Sequence, residues 1–198
     1  MRLKTVIASV LVAVSLGSGA AAAAAPARHE CATPSIDRYQ QWLASGEGTT
    51  EPATGSTLVP DGRHRYAAKI KFLNPEWHVM VLWLGNRFEA EADLSRSRGF
   101  LMTYSATDDL YVQLRPASDW SGGAKWVTKI PSTRGKVVSR FFSFAPDKWT
   151  TLAELGAPNY PLADALDDAR GLVFVGKTPN DLTFKGLKVD GYRPPCVY

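Results

Sequence analysis

The feature that most constrains the fold is a period of two in the apolar residues, which begins at residue 66 and continues almost to the end. In Tyr66–Phe72, apolar residues alternate with two lysines, as expected for a strand with one buried face. His78–Leu84 is apolar on both faces, which predicts a central strand covered on two sides. Seven further segments complete the pattern: Phe88–Leu94, Gly99–Ser105, Leu110–Arg115, Lys125–Ile130, Val137–Phe144, Gly171–Lys177 and Leu182–Val189.

Helical patterns are confined to two short segments. Ser35–Ala44 begins with a residue that can cap a helix, and its apolar residues recur at helical spacing. Pro161–Ala169 begins with a proline and is ended by Gly171. Many strands with so little helix predict an all-β fold, an antiparallel β-sandwich of the jelly-roll type, with a meander barrel as the alternative.

The beginning of the chain has the composition of a secretory signal peptide. Arg2 and Lys4 precede the apolar stretch Val6–Leu16, and small residues ending in an alanine run follow up to Ala25. We therefore expect residues 1–25 to be removed during export. Residues 26–198 are expected to form one secreted, extracellular domain, since no linker divides them.

Cys31 and Cys196 are the two cysteines of the chain, one near each end of the predicted domain. An exported protein meets an oxidising compartment, so we predict a disulfide bond between them. Closing so long a loop stabilises the folded state by roughly 5 kcal/mol on loop-entropy grounds.

The charge of the domain is small. The chain has 23 Lys+Arg and 19 Asp+Glu, and loss of Arg2 and Lys4 with the signal leaves 21 basic residues, a net charge near +2. Such a charge gives no reason to expect nucleic acid or an anionic membrane as a partner. We also expect no metal, no cofactor and a monomer.

The order of the middle and closing strands resembles that of galactose-binding-like jelly rolls, a fold shared by many carbohydrate-binding modules of secreted glycosidases. The resemblance covers residues 66–191 and implies that the chain binds a polysaccharide or glycan without catalysis. It lies in the hydrophobic pattern of these segments: Phe88–Leu94, Gly99–Tyr104, Leu110–Arg115, Phe142–Phe144, Gly171–Gly176 and Phe184–Gly191.

Three polar side chains are predicted to share one face of the fifth strand. If the leucines and valine of that strand point inward, Tyr111, Gln113 and Arg115 emerge together on the opposite face. A ring, an amide and a guanidinium suit a sugar, because the ring stacks on the sugar while the other two bind hydroxyls or carboxylates. Lys125 and Lys129 of the next strand would flank this row and favour acidic glycans. The alternative is an ordinary solvated sheet face.

Trp120 and Arg140 complete the candidate ligand residues. Trp120 lies in a loop beside Gly122, where its ring either forms a platform for a sugar or packs against the sandwich. Arg140 interrupts an otherwise apolar row of its strand. It either ends that row in solvent or is a buried charge that faces a ligand.

An enzyme is the main alternative function, although no catalytic residue is assigned. Glu89, Glu91 and Asp93 share one strand face, where repulsion could raise the pKa of one carboxyl, as glycoside hydrolysis requires. The same row could instead form a charge ladder with lysines across the sheet. A lyase would use the Tyr111 and Arg115 face. A third possibility is a protein-binding module with a flat apolar patch.

Overall fold

A computed structural model gives the fold of the protein and describes residues 56–62, 66–73, 79–84, 91–121, 124–154 and 156–192. The elements in chain order are β1 (Thr57–Pro60), β2 (Tyr66–Phe72), β3 (Val79–Trp83), β4 (Gly99–Ala106), β5 (Leu110–Pro116), β6 (Trp126–Ile130), β7 (Val138–Ser143), a 3-10 turn (Pro146–Lys148), α1 (Leu162–Asp167), β8 (Ala169–Gly176) and β9 (Asn180–Val189). No helix within the described ranges is long and apolar enough to cross a bilayer.

The strands form two antiparallel sheets. One sheet has five strands in the order β1-β2-β9-β4-β7, and the other has four in the order β3-β8-β5-β6. Their inner faces pack together: the rings of Phe174 on β8 and Phe184 on β9 have centroids 6.1 Å apart across the two sheets. The predicted all-β sandwich is confirmed, and the barrel alternative does not describe this arrangement.

The core between the sheets follows from the alternation in the sequence. Along β2, Ala68, Ile70 and Phe72 are buried, while Lys69 and Lys71 are exposed. The largest buried side chains include aromatic residues of both sheets, so the core is a continuous apolar layer between two pleated surfaces.

Some predicted elements differ from the structure. No strand was predicted at β1, which joins the sheet through backbone pairing with β2 and buries little. In the predicted third strand, Ala92 forms an isolated bridge with Ala169. α1 ends at Asp167, before its predicted end, because Ala169 already begins β8.

Several predictions lie outside the described residues. These are the signal segment 1–25, the Ser35–Ala44 helix and the Cys31–Cys196 disulfide. They therefore stay predictions, as does the extent of the domain.

A second apolar cluster lies on the outer face of the four-stranded sheet, away from the core. It contains Val81 and Trp83 of β3 and Val173 of β8, with Trp120 and Val175 packed against it. This sheet is therefore apolar on both faces over part of its area, and the candidate ligand residues lie beside this cluster.

Candidate functional site

The register of the paired strands shows which residues are neighbours on the outer face of the four-stranded sheet. Tyr111 lies opposite Lys129 on β6 and Val175 on β8, and Arg115 lies opposite Gly171 on β8. Alternate residues of β5 are core residues with no exposed surface. The side chains of Tyr111, Gln113 and Arg115 therefore lie on the face opposite the core, as the alternation predicted.

Two members of this row are buried. Gln113 is 5% exposed and Arg115 is 7% exposed. Arg115 donates from Nε and Nη2 to Gln113 Oε1, at 3.0 and 2.8 Å, and from Nη1 to the Trp120 carbonyl at 3.2 Å. The prediction of an open row is therefore wrong for these two residues. Their neighbours on the adjacent strands are apolar and buried as well, so this part of the face is interior.

Trp120 is a packing residue. Its ring stacks on Trp83 with centroids 4.4 Å apart and an angle of 22° between the planes, and the Arg115 guanidinium carbon lies 5.4 Å from the ring centroid. Gly171 makes this approach possible, because a Cβ there would lie 3.1 Å from a Trp120 ring atom. Of the two alternatives for Trp120, a sugar platform or packing against the sandwich, the structure shows packing.

Lys125 also differs from its prediction as an exposed flanking cation. It is fully buried, and its Nζ lies 2.9 Å from Asp119 Oδ2. A buried ammonium is costly unless it is paired, so Asp119 offsets part of that cost. Burial and the nearby Asp119 charge raise the pKa of Tyr160, whose backbone carbonyl accepts a hydrogen bond from the Trp126 indole at 3.0 Å.

Tyr111 remains accessible at the other end of the face. Its ring is half-buried, and Lys177 Nζ lies 5.1 Å from the ring centroid. Lys129 pairs with Asp109 at 2.5 Å, and Lys177 pairs with Glu154 at 2.5 Å. We call these five residues the Tyr111 surface. Two cations meet two carboxylates on it, so the predicted preference for acidic glycans does not follow from this part of the protein.

The ion pairs of the Tyr111 surface also set the ionisation of its acids. The hydrogen bond from Lys129 is the main cause that lowers the pKa of Asp109, and the same bond raises the pKa of Lys129. Lys177 likewise lowers the pKa of Glu154. These carboxyls are therefore ionised at neutral pH and accept hydrogen bonds, while the lysines donate them.

Asn180, which no sequence motif identified, positions the Asp108-Asp109 turn. It is buried, and its Oδ1 accepts hydrogen bonds from the Thr107 backbone, the Thr107 hydroxyl and the Asp108 backbone, at 3.1, 3.0 and 3.2 Å. Its Nδ2 donates to the Asp108 carbonyl at 2.7 Å. These bonds fix the β4–β5 turn where Asp109 meets Lys129. The available sequence signal was an Asn after Thr-Pro, between the predicted strands Gly171–Lys177 and Leu182–Val189.

Arg140 does not join the other candidate residues. It lies on β7, an edge strand of the five-stranded sheet, and its side chain is exposed. Of its two alternatives, the structure has the solvent-exposed one.

The acidic row gives no support to an acid catalyst. Glu89 lies outside the described residues, while Glu91 and Asp93 are exposed. Hydrogen bonds from Ser95 lower the pKa of Asp93, whereas a general acid needs a raised pKa. Over the described part of the chain, no three His, Cys, Asp or Glu side chains form a group that could hold a metal ion.

Comparisons with known proteins give matches among solved structures. No protein-family model and no curated protein matches the chain. One similar structure is described as PfGH50B, with a TM-score of 0.46 and 10% identity over 71% of this chain; the chain covers 22% of that one. Another is the family 11 carbohydrate-binding module of the cellulosomal cellulase Lic26A-Cel5E of Clostridium thermocellum. It has a TM-score of 0.45 and 12% identity, over 80% of this chain and 97% of that one. Similarity of this extent identifies neither a ligand nor a reaction for this chain.

Proposed function

We propose that this chain is an exported, non-catalytic carbohydrate-binding protein that contacts a polysaccharide or glycan through the Tyr111 surface. The observation that carries the proposal is the half-exposed Tyr111 ring, which lies beside two lysine–carboxylate pairs on the outer face of a β-sheet. Export through residues 1–25 and a disulfide between Cys31 and Cys196 belong to the same proposal.

The chemistry of the Tyr111 surface suits a neutral sugar. An aromatic ring attracts the apolar face of a sugar ring, and neighbouring charged groups donate and accept hydrogen bonds with its hydroxyls. Lys129 and Asp109 already contact each other, so little side-chain freedom is lost when both bind the same sugar. Because the charges balance, a neutral glycan is bound without leaving a cation or a carboxylate in excess.

Retention on polysaccharides tests this function. The wild-type protein is incubated with a panel of insoluble neutral and acidic polysaccharides and applied to a glycan array. Tyr111→Ala is expected to lose most of the wild-type retention on neutral glycans. Lys129→Gln is expected to weaken the same retention. Tyr66→Ala is the matched control, since Tyr66 is an exposed tyrosine on the other sheet.

Two results would contradict the proposal. One is a wild-type protein that no polysaccharide retains. The other is a Tyr111→Ala variant that binds neutral glycans as well as the wild type while both keep the same melting temperature. Release of reducing sugar from the same polysaccharides would contradict the non-catalytic part.

A further inference from the structure

The outer face of the five-stranded sheet carries an exposed apolar pair. Phe141 of β7 is 49% exposed, and its cross-strand partner Leu101 of β4 is 43% exposed. The ring of Phe141 is held against the sheet. A Cβ added at Gly99 would lie 2.7 Å from Phe141 Cζ, so the ring extends over the bare backbone of this glycine. The pair is therefore an apolar surface in a defined position.

Two hydroxyl groups form the next row on the same face. Thr103 of β4 lies opposite Ser139 of β7, and their hydroxyl oxygens are 2.8 Å apart. Each is the second residue along its strand from the apolar pair, so the two rows share a face and are about 7 Å apart. One hydroxyl donates to the other, so the second keeps a hydrogen that it can donate to a ligand. We call Phe141, Leu101, Thr103 and Ser139 the Phe141 surface.

The backbone beside the Phe141 surface is bare. Gly186 of β9 lies opposite Thr103, and a Cβ added to Gly186 would have no described atom within 4 Å beyond its chain neighbours. A glycine inside a strand often marks a bulge or a place where a ligand approaches the backbone closely. The register of β4 and β9 does shift here, and the space above the glycine is open. A ligand that contacts Thr103 therefore has room to extend over β9.

The Phe141 surface itself is uncharged. Lys188 of β9 borders it, and Asp190 lies near this lysine. The hydrogen bond from Arg98 is the main cause that lowers the pKa of Asp190, and the charge of Lys188 adds to it. The positive charge at this border is therefore partly balanced by a carboxylate. Arg140 lies opposite a buried core residue of β4, so it belongs to the other face of β7.

This combination of groups is complementary to a neutral sugar chain. The apolar face of one sugar covers the exposed ring, and hydroxyls of the next sugar exchange hydrogen bonds with the hydroxyl pair. A nucleic acid or an acidic polymer would need several cations on this face. An apolar protein partner would bury the hydroxyl pair without replacing its bonds to water, which costs free energy.

We propose that the Phe141 surface binds a second neutral polysaccharide chain, so that one protein molecule joins two chains. The proposal rests on the proposed carbohydrate-binding function, which assigns the first chain to the Tyr111 surface. Tyr111 belongs to the four-stranded sheet, and its side chain lies on the outer face of that sheet. Packed sheets are about 10 Å apart, and their outer side chains point in opposite directions. One straight segment of a polymer therefore cannot contact both surfaces.

Binding of two chains also determines how tightly an insoluble polysaccharide retains the protein. Both surfaces can bind neighbouring chains of such a polysaccharide at once, and two linked contacts hold far more tightly than either contact alone. Loss of either surface therefore removes most of the retention. Each variant that keeps one surface still binds a soluble oligosaccharide.

Isothermal titration calorimetry of the full chain counts the binding surfaces. The probes are short oligosaccharides from mixed-linkage β-glucan, xyloglucan, galactomannan and arabinoxylan. The wild type is expected to bind two oligosaccharides, and Tyr111→Ala and Phe141→Ala one each. In the Tyr111→Ala protein, the further change Thr103→Val keeps the side-chain shape, removes the hydroxyl and is expected to weaken the remaining binding about threefold to tenfold. Added salt is expected to leave that binding unchanged, because the surface is uncharged.

Light scattering then tests whether the protein joins two chains. The wild type, mixed with the long polysaccharide whose oligosaccharide it binds, is expected to form large particles. Excess protein disperses them, because each chain is then saturated by separate protein molecules. Tyr111→Ala and Phe141→Ala are expected to bind the polysaccharide without forming particles.

Matched controls keep the test valid. Tyr66→Ala removes an exposed ring of β2, elsewhere in the same sheet, and is expected to behave as the wild type in both experiments. Thr103→Val and Ser139→Ala remove only hydroxyl groups, so they test the surface even if Phe141→Ala lowers the melting temperature. Analytical ultracentrifugation without polysaccharide is expected to show a monomer.

The outcomes separate the two proposals. A single site that Tyr111→Ala removes and Phe141→Ala leaves intact overturns this inference but not the proposed function. A single site that only Phe141→Ala removes contradicts the Tyr111 surface and also overturns the joining of two chains. A dimer of the free protein that Phe141→Ala dissociates assigns the Phe141 surface to a second copy instead. Binding of none of the oligosaccharides overturns both proposals.

Discussion

Replacing Trp120 with alanine distinguishes a packed tryptophan from a ligand platform. Complete burial makes a Trp→Ala change cost about 3–5 kcal/mol, and Trp120 is half-buried, which gives roughly half of that. Loss of the stack on Trp83 adds about 1 kcal/mol. We therefore expect the free energy of unfolding to fall by about 2.5–3.5 kcal/mol, and the melting temperature to fall by about 5–14 °C.

Urea unfolding followed by fluorescence measures this loss, and near-ultraviolet circular dichroism reports the stacked indoles directly. Gly171→Ala is a second perturbation of the same contact, because its methyl group would lie 3.1 Å from both the Trp120 ring and the Leu82 carbonyl oxygen. It is expected to weaken the same dichroism signal. The reasoning is refuted if Trp120→Ala unfolds within about 0.5 kcal/mol of the wild type, the range of an ordinary surface substitution. Loss of polysaccharide binding at unchanged stability would instead assign Trp120 to the ligand.

Three further predictions concern the turns and the Tyr111 surface. Arg134 has a φ of 52°, a left-handed conformation that costs less free energy for glycine than for arginine. Arg134→Gly is therefore expected to raise the free energy of unfolding by about 0.5–1 kcal/mol in urea titrations; a loss of stability would contradict this reasoning. Asp109 has a pKa below its ordinary value of 3.8, so its stabilising effect is present above that pH and is lost as the pH falls through the lower, folded-state pKa. The melting temperatures of Asp109→Asn and the wild type should therefore differ at neutral pH and converge in strong acid; a constant difference would exclude this linkage. Asn180→Ala removes the acceptor of the Asp108 amide and of the Thr107 hydroxyl and the donor to the Asp108 carbonyl, which should cost about 1–3 kcal/mol, with weaker neutral-glycan retention because Asp109 is displaced; full stability would refute it.

Strand positions were largely predictable because a strand alternates its side chains over a few residues. The predicted Tyr66–Phe72 strand coincides with β2, and the predicted Leu110–Arg115 strand is one residue shorter than β5. The order of the strands was not predictable to the same degree. β2 pairs with β9, over 100 residues later, and no local pattern specifies such a partner.

The candidate site also has one property that the sequence predicts and one that it does not. The sequence by itself determined that Tyr111, Gln113 and Arg115 share one face, because the pleat of a strand depends only on neighbouring residues. Only the tertiary structure decided which of them meets solvent: Trp120 folds over Gly171 and accepts a bond from Arg115, while Tyr111 lies beyond this cover. Exposure depends on what packs against a face, and contacts between residues distant in sequence decide that.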